Sequence, residues 1–179
     1  MQAKKIIIIG TTASNLYIFR KDFIVACIQK QMHVVAFVSE YTDEWIEKLS
    51  ELGAEVVTYN LSRGGLNPLA DIQSTIQLIY QIKKIGPDLV LSYSAKPVIY
   101  GTLAAKAAKV PDIVGMLEGL GYTFTDQPEG QNFKTKLVRN IQVLLYKFAF
   151  RYIDKIIFLN QDDKKDLMHI YKFKKPEAY

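Results

Sequence analysis

The chain has 179 residues, of which 49% are hydrophobic and 23% charged, a balance that supports one buried core and excludes both a disordered chain and two full-size domains. Its formal charge of +5 is local, because residues 132–175 carry eleven Lys or Arg against four Asp or Glu; one face is set to meet something anionic, which argues against a whole-surface nucleic-acid binder. One cysteine, Cys27, and two histidines, His33 and His169, leave no internal disulfide and no Cys/His zinc cluster, so no metal is expected.

In chain order, Lys4 to Gly10 reads as a buried strand, since four consecutive isoleucines suit a parallel strand covered on both faces. The first residues run directly into this strand without the order of a signal peptide, and no apolar run approaches a membrane span, so a cytoplasmic address is expected. Phe19 to Gln31 has helical spacing at Phe19, Phe23, Ala26 and Cys27, and His33 to Val38 is a second strand. Thr42 to Leu52 reads as a short helix with Thr42 or Asp43 as its N-cap, followed by a third strand at Glu55 to Tyr59. A loop from Asn60 to Leu66 leads to a helix from Pro68 to Ile85, with proline in the first turn. Asp88 to Tyr93 is the fourth strand, Pro97 to Lys109 a helix, and Asp112 to Leu117 the fifth strand. Glu118 to Gly130 is a glycine-containing loop, Asn132 to Tyr152 a helix, Lys155 to Leu159 a sixth strand, and Gln161 to Tyr171 a last helix capped by Asp162 and Asp163.

Strands alternating with helices predict a Rossmann-like α/β fold: a doubly wound parallel sheet of six strands in the order 3-2-1-4-5-6, with helices on both faces. Ligands of such sheets bind beyond the carboxyl ends of the strands where the order reverses, here between strands one and four. That places Gly10 to Leu16 and Ser92 to Val98 at a cleft, walled by Asn60 to Leu66 and Glu118 to Asp126.

The dinucleotide fingerprint fails, because the second and third required glycine positions after Gly10 hold Thr12 and Asn15, and no phosphate-binding P-loop sequence occurs. The first loop still offers Thr11, Thr12, Ser14 and Asn15 ahead of a helix; these groups suit ligand hydroxyls, while Ser14 or Asn15 can equally serve as an N-cap. Arg63 and Gly64 put a planar guanidinium in a tight turn. Ser94 and Lys96 stand at a helix start, where a lysine opposes the helix dipole unless an anion or carboxylate offsets it. Glu118 follows a buried strand directly and should face the crevice, with Gly119, Gly121 and Tyr122 beside it; as a carboxylate it is a candidate base, hydroxyl-binding group or cap. Phe133 to Ile153 carries Leu137, Ile141, Leu144, Leu145 and Phe148 at helical spacing, expected to dock on the sheet, with Lys134, Lys136, Arg139, Lys147 and Arg151 left to water or to an anionic bilayer.

The run Asn60-Leu-Ser-Arg-Gly-Gly-Leu-Asn-Pro-Leu69, Pro87-Asp88, Lys96-Pro-Val-Ile-Tyr-Gly101 and Glu118-Gly-Leu-Gly-Tyr122 resembles the N-terminal domain of family 4 glycosyltransferases, of the bacterial kind that build capsular, O-antigen or lipid-linked oligosaccharides. The resemblance covers essentially the whole chain. It implies the N-terminal, acceptor-side half of a GT-B enzyme, comprising residues 1–179, which moves a sugar from a UDP-sugar to a polyprenyl-diphosphate glycan with retention and without an obligatory metal. The UDP-sugar would bind a C-terminal domain or split partner chain carrying the family's E-x7-E motif, and this half would hold no cofactor and be inactive alone. The implied partners are the lipid-linked acceptor and an anionic membrane, met at the inner face of the plasma membrane by Lys134, Lys136, Arg139 and Lys147, and no nucleic acid. Gly10 to Asn15 would line the acceptor cleft. Glu118 stands where many relatives have histidine, and a carboxylate does not donate as imidazolium does. Two other readings stay open: a stand-alone nucleotide-binding or regulatory module, and half of a sugar-nucleotide epimerase.

Overall fold

In the computed structural model the described residues are 3–61, 67–119, 133–167 and 177–178, with side chains described for 3–61, 67–119 and 136–167. The elements are β1 (Lys5–Ile9), α1 (Ala13–Gln29), β2 (His33–Val38), α2 (Asp43–Glu51), β3 (Glu55–Thr58), α3 (Pro68–Ile85), β4 (Leu89–Tyr93), α4 (Ala95–Ala107), β5 (Asp112–Leu117), α5 (Phe133–Ala149), β6 (Lys155–Phe158), α6 (Gln161–Lys165) and β7 (Glu177–Ala178). Every pairing is parallel, in the order β3-β2-β1-β4-β5-β6-β7. The expected order 3-2-1-4-5-6 is present, and the two residues of β7 add an edge strand that their brevity hid from the sequence.

Alternation along β1 explains its run of isoleucines. Ile6 and Ile8 pack with Leu16, Ile24 and Cys27 of α1 and Leu49 of α2, whereas Ile7 and Ile9 pack in a second core with Leu78 and Ile82 of α3, Val98 and Ala105 of α4, and Tyr146 of α5. Both faces of β1 are therefore covered, as a central strand of an all-parallel sheet requires. Proline in its first turn, the Asn67 side chain accepting from the Ala70 N–H, and left-handed Gly86 at its end (φ 61°) delimit α3. The order reverses between β1 and β4, so the carboxyl ends Ile9 and Tyr93 open side by side at the predicted edge.

Several local expectations are corrected. Helix α1 starts at Ala13, not Phe19, and its cap residue is Thr12 rather than Ser14 or Asn15. Phe19 and Phe23, which carried the helical spacing, are 63% and 40% exposed, because the face of α1 that meets the sheet is set by Ala13, Leu16, Ile24 and Cys27. Helix α6 is capped by Asn160, whose side chain accepts from the Asp163 N–H, and Asp162 and Asp163 lie in its first turn. The largest correction concerns α5. Leu137, Ile141, Leu144 and Phe148 are 50%, 36%, 67% and 46% exposed. The side of α5 facing the core is instead made by Val143, Tyr146 and Ala149, with Leu145 packed at its margin.

Candidate functional site

At the edge where β1 and β4 diverge, Thr11, Thr12, Asn15, Tyr93, Ser94, Lys96, Glu118 and Gly119 line one cavity of about 460 Å³. The backbone after β1 is fixed by its neighbours. The Gly10 N–H donates to Phe37 O (3.0 Å), the Ser39 and Glu40 N–H groups both donate to Thr11 O (2.8 Å each), and the Ala13 N–H donates to Glu40 O (2.9 Å). Glu40, two residues past β2, thus binds the first loop through its backbone. A Cβ at Gly10 would overlap the Tyr93 ring, so glycine is needed there to let the phenol lie across the strand end.

Thr12 makes no side-chain cap hydrogen bond, and the first turn of α1 holds no acidic residue. Ser94 likewise caps α4 without bonding that helix, because its hydroxyl donates to Glu118 Oε2 at 3.0 Å. Two helix N-termini without side-chain caps therefore flank the cavity, each a weak attractor for ligand oxygens. Ser94 is also held at φ 69°, ψ 159°, a region almost restricted to glycine that costs roughly 1–3 kcal/mol. Strain of this kind gathers where function fixes a side chain.

Glu118 is tied from a second side by an ion pair with Arg20, whose side chain is 12% exposed against 30% for the glutamate. The same guanidinium donates to Phe19 O at 2.8 Å and stands 5.3 Å from the centre of the Tyr93 ring. Burial pushes the Tyr93 phenol above its usual range, Glu118 adds in the same direction and Arg20 opposes it. The Tyr93 hydroxyl is buried without a hydrogen-bond partner.

Lys96 turns out to be offset from within. Its Nζ lies 2.9 and 3.2 Å from the two oxygens of Asp71 on α3, which is 2% exposed, and the Tyr100 hydroxyl donates to Asp71 at 3.0 Å. Burial, followed by the Asp71 charge and hydrogen bond, raises the Tyr100 phenol above its usual range. Both charges on the cavity wall are thus answered by protein groups, Glu118 by Arg20 and Lys96 by Asp71. What remains for a ligand is hydroxyl, amide and carboxylate-acceptor chemistry, which suits a polyhydroxylated molecule better than a free phosphate.

Of the residues singled out in the sequence, Thr11, Thr12, Asn15, Ser94, Lys96, Glu118 and Gly119 come together. Gly10 is beneath the cavity, its carbonyl accepting from the Tyr59 hydroxyl at 2.8 Å, and Ser14 is in the first turn of α1, outside the lining. Arg63, Gly64, Gly121 and Tyr122 lie outside the described residues. Sequence reasoning missed Arg20 and Asp71, which lie 98 and 25 residues from their partners. A larger concavity of about 880 Å³, lined by Phe19, Phe23, Leu89, Leu91, Val114 and Met116 among others, has the composition of a packing surface and lacks the convergent polar groups of the cleft.

The glycosyl transferase 4-like family model matches residues 5–160. The chain is 32% identical over 157 residues to the N,N'-diacetylbacillosaminyl-diphospho-undecaprenol alpha-1,3-N-acetylgalactosaminyltransferase of Campylobacter jejuni, covering 88% of this chain and 40% of that protein. It is 31% identical over 97 residues to the UDP-Gal:alpha-D-GlcNAc-diphosphoundecaprenol alpha-1,3-galactosyltransferase of Escherichia coli, covering 54% of this chain and 23% of the relative. The chain thus spans less than half the length of these relatives. A glycosyltransferase structure from Rickettsia africae superposes with a TM-score of 0.65 at 14% identity over 100% of this chain and 42% of that one, a likeness of fold. With the family model matching most of its length, the chain belongs to the glycosyl transferase 4-like family.

Proposed function

We propose that these 179 residues are the acceptor-binding half of a glycosyltransferase that moves a sugar from a UDP-sugar to a polyprenyl-diphosphate-linked glycan. The observation that carries the reading is the cleft at the β1/β4 switch point, whose wall charges are neutralised internally and whose other polar groups are hydroxyls and an amide. Such a wall takes sugar hydroxyls, and the names of both curated relatives specify a sugar on diphospho-undecaprenol as acceptor. Thr11, Thr12, Asn15 and Ser94 orient the terminal sugar. Glu118, clamped by Arg20 and Ser94, accepts a hydrogen bond from one sugar hydroxyl; its geometry fits a positioning acceptor rather than a proton donor.

The donor belongs to a part of the protein other than these residues, and transfer with retention needs both parts. By itself the chain binds acceptor and does not turn over. Of the four basic residues singled out on α5, Lys136 and Lys147 are exposed and face the membrane that anchors the acceptor, Arg139 is half-buried, and the side chain of Lys134 lies outside the described residues. The test is saturation-transfer NMR with a water-soluble saccharide-diphosphate acceptor analogue and, separately, UDP-N-acetylgalactosamine. Transfer to the analogue, weakened by Asn15→Ala and Glu118→Gln, is expected; tight UDP-sugar binding with no acceptor signal would reverse the assignment.

A further inference from the structure

We infer that a second pocket, over the carboxyl ends of β2 and β3, is a further saccharide subsite, one that takes an uncharged sugar bearing an acetamido group beside the sugar held in the cleft. The inference rests on the acceptor reading and deepens it, by adding a selection that the cleft does not impose. The pocket measures about 370 Å³, and its polar lining is Ser39, Asn60, Gln73, Ser74 and Gln77. Ser39 follows β2 directly, Asn60 lies two residues past β3, and the other three stand on the first three turns of α3. In the order β3-β2-β1-β4 the pocket is therefore beside the cleft, along the same edge of the sheet. The wall between the two is thin. Thr11 lines the cleft, and its carbonyl oxygen accepts from the Ser39 hydroxyl at 3.2 Å. Lys96 lines the cleft as well, and its partner Asp71 sits between Ala70 and Ser74 of the pocket. Adjacent units of one saccharide can therefore occupy both.

The lining sets what the pocket takes. None of the described residues around it is charged, so a phosphate or carboxylate would lose its hydration there without gaining a counter-ion, which is costly. The hydrogen bonds already made fix the polarity of the groups that are left. Ser39 and Ser74 donate their hydroxyl protons to Thr11 O and Ala70 O at 3.2 and 2.8 Å, so each oxygen is left to accept. Gln77 Oε1 accepts from the Asn60 N–H at 3.1 Å, which orients that amide and leaves its two N–H groups to donate. Asn60 and Gln73 are exposed, and each presents a donor and an acceptor. Leu61, 5% exposed, and Ala70 supply the apolar part of the wall. An acetamido group is the complement of this set, with an N–H for a serine oxygen, a carbonyl for a glutamine N–H and a methyl for Leu61 and Ala70. A plain sugar hydroxyl answers the polar groups but leaves the apolar wall against water. The cleft, lined by hydroxyls, Asn15 and two internally neutralised charges, makes no such distinction.

The test is an NMR titration of the chain with N,N'-diacetylchitobiose and with cellobiose, the same disaccharide carrying hydroxyls in place of the acetamido groups. It is read at the backbone amides and at the side-chain amide signals of Asn60, Gln73 and Gln77. The acetylated disaccharide is expected to shift those three side-chain signals and to bind at least about fivefold more tightly than cellobiose. Gln77→Glu keeps the acceptor for the Asn60 N–H and removes the donor, and Gln73→Ala changes an exposed position. Each is expected to bring the preference down to about twofold or less, with an unchanged melting temperature. Equal binding of the two disaccharides, side-chain amides that do not move, or a preference that survives both variants would overturn the inference. Shifts at Thr11 to Asn15 and Ser94 without movement at Gln73 and Gln77 would leave the cleft reading standing while the subsite falls. Shifts confined to the pocket would do the reverse, and no binding of either disaccharide would overturn both.

Discussion

Replacing Asp71 with alanine removes the partner of two groups that join α3 to the start of α4. Asp71 is 2% exposed and receives Lys96 Nζ at 2.9 Å and the Tyr100 hydroxyl at 3.0 Å. Removing one member of a buried ion pair costs about 3–5 kcal/mol, because the other charge stays desolvated without its counter-ion. The Lys96 side chain retains 14% exposure, so partial rehydration puts the loss at the lower end, about 3 kcal/mol. Urea denaturation of the wild type, Asp71→Ala, Lys96→Ala and the double variant measures this directly. The cycle should return a favourable coupling of about 1–3 kcal/mol, with the double variant closer to wild type than the two single losses added. A loss below about 1 kcal/mol for Asp71→Ala, or no coupling, would refute the claim that Asp71 neutralises Lys96. The case for sugar hydroxyls in the cleft would then weaken.

Tyr93→Phe deletes a buried hydroxyl that has no partner, so thermal or urea unfolding should show a change within about 1 kcal/mol, in the stabilising direction; a loss of several would mean the hydroxyl is bonded. The phenols of Tyr59, Tyr93 and Tyr146 are all raised by burial above their ordinary value of 10.0. Their neutral forms contribute fully below that value, and stability should fall as pH rises above about 10, with a shallower fall in Tyr93→Phe; a flat alkaline profile would contradict the burial argument. Gly10→Ala drives a methyl into the Tyr93 ring and should cost about 1–3 kcal/mol, part of it recovered by Tyr93→Leu in the same chain. Arg20→Gln should weaken acceptor-analogue binding about as much as Glu118→Gln, and the two should be non-additive because they act on one carboxylate; additive losses would separate their roles.

The strand order and the switch-point cleft were legible because buried parallel strands announce themselves as unbroken apolar runs rich in β-branched residues, as at Ile6 to Ile9 and Val34 to Val38. The loops after β1 and β4 could then be placed at one edge without any side-chain information. The partners within the cleft were not legible. Arg20 lies one turn beyond the first loop on a helix that sequence periodicity started too late, and its pairing with Glu118 spans 98 residues. Helical spacing also misled at α5. It detects an apolar stripe but not its direction, and α5 has one on each side: Val143, Tyr146 and Ala149 inward, and Leu137, Ile141, Leu144 and Phe148 outward.

The most direct measurement is backbone amide chemical-shift mapping of the chain titrated with the soluble saccharide-diphosphate analogue. The proposed acceptor role predicts shifts concentrated at Thr11 to Asn15, Ser94, Glu118 and Gly119, with Trp45 and the rest of α2 unmoved. Shifts that gather elsewhere, or that follow a UDP-sugar and ignore the analogue, would contradict it.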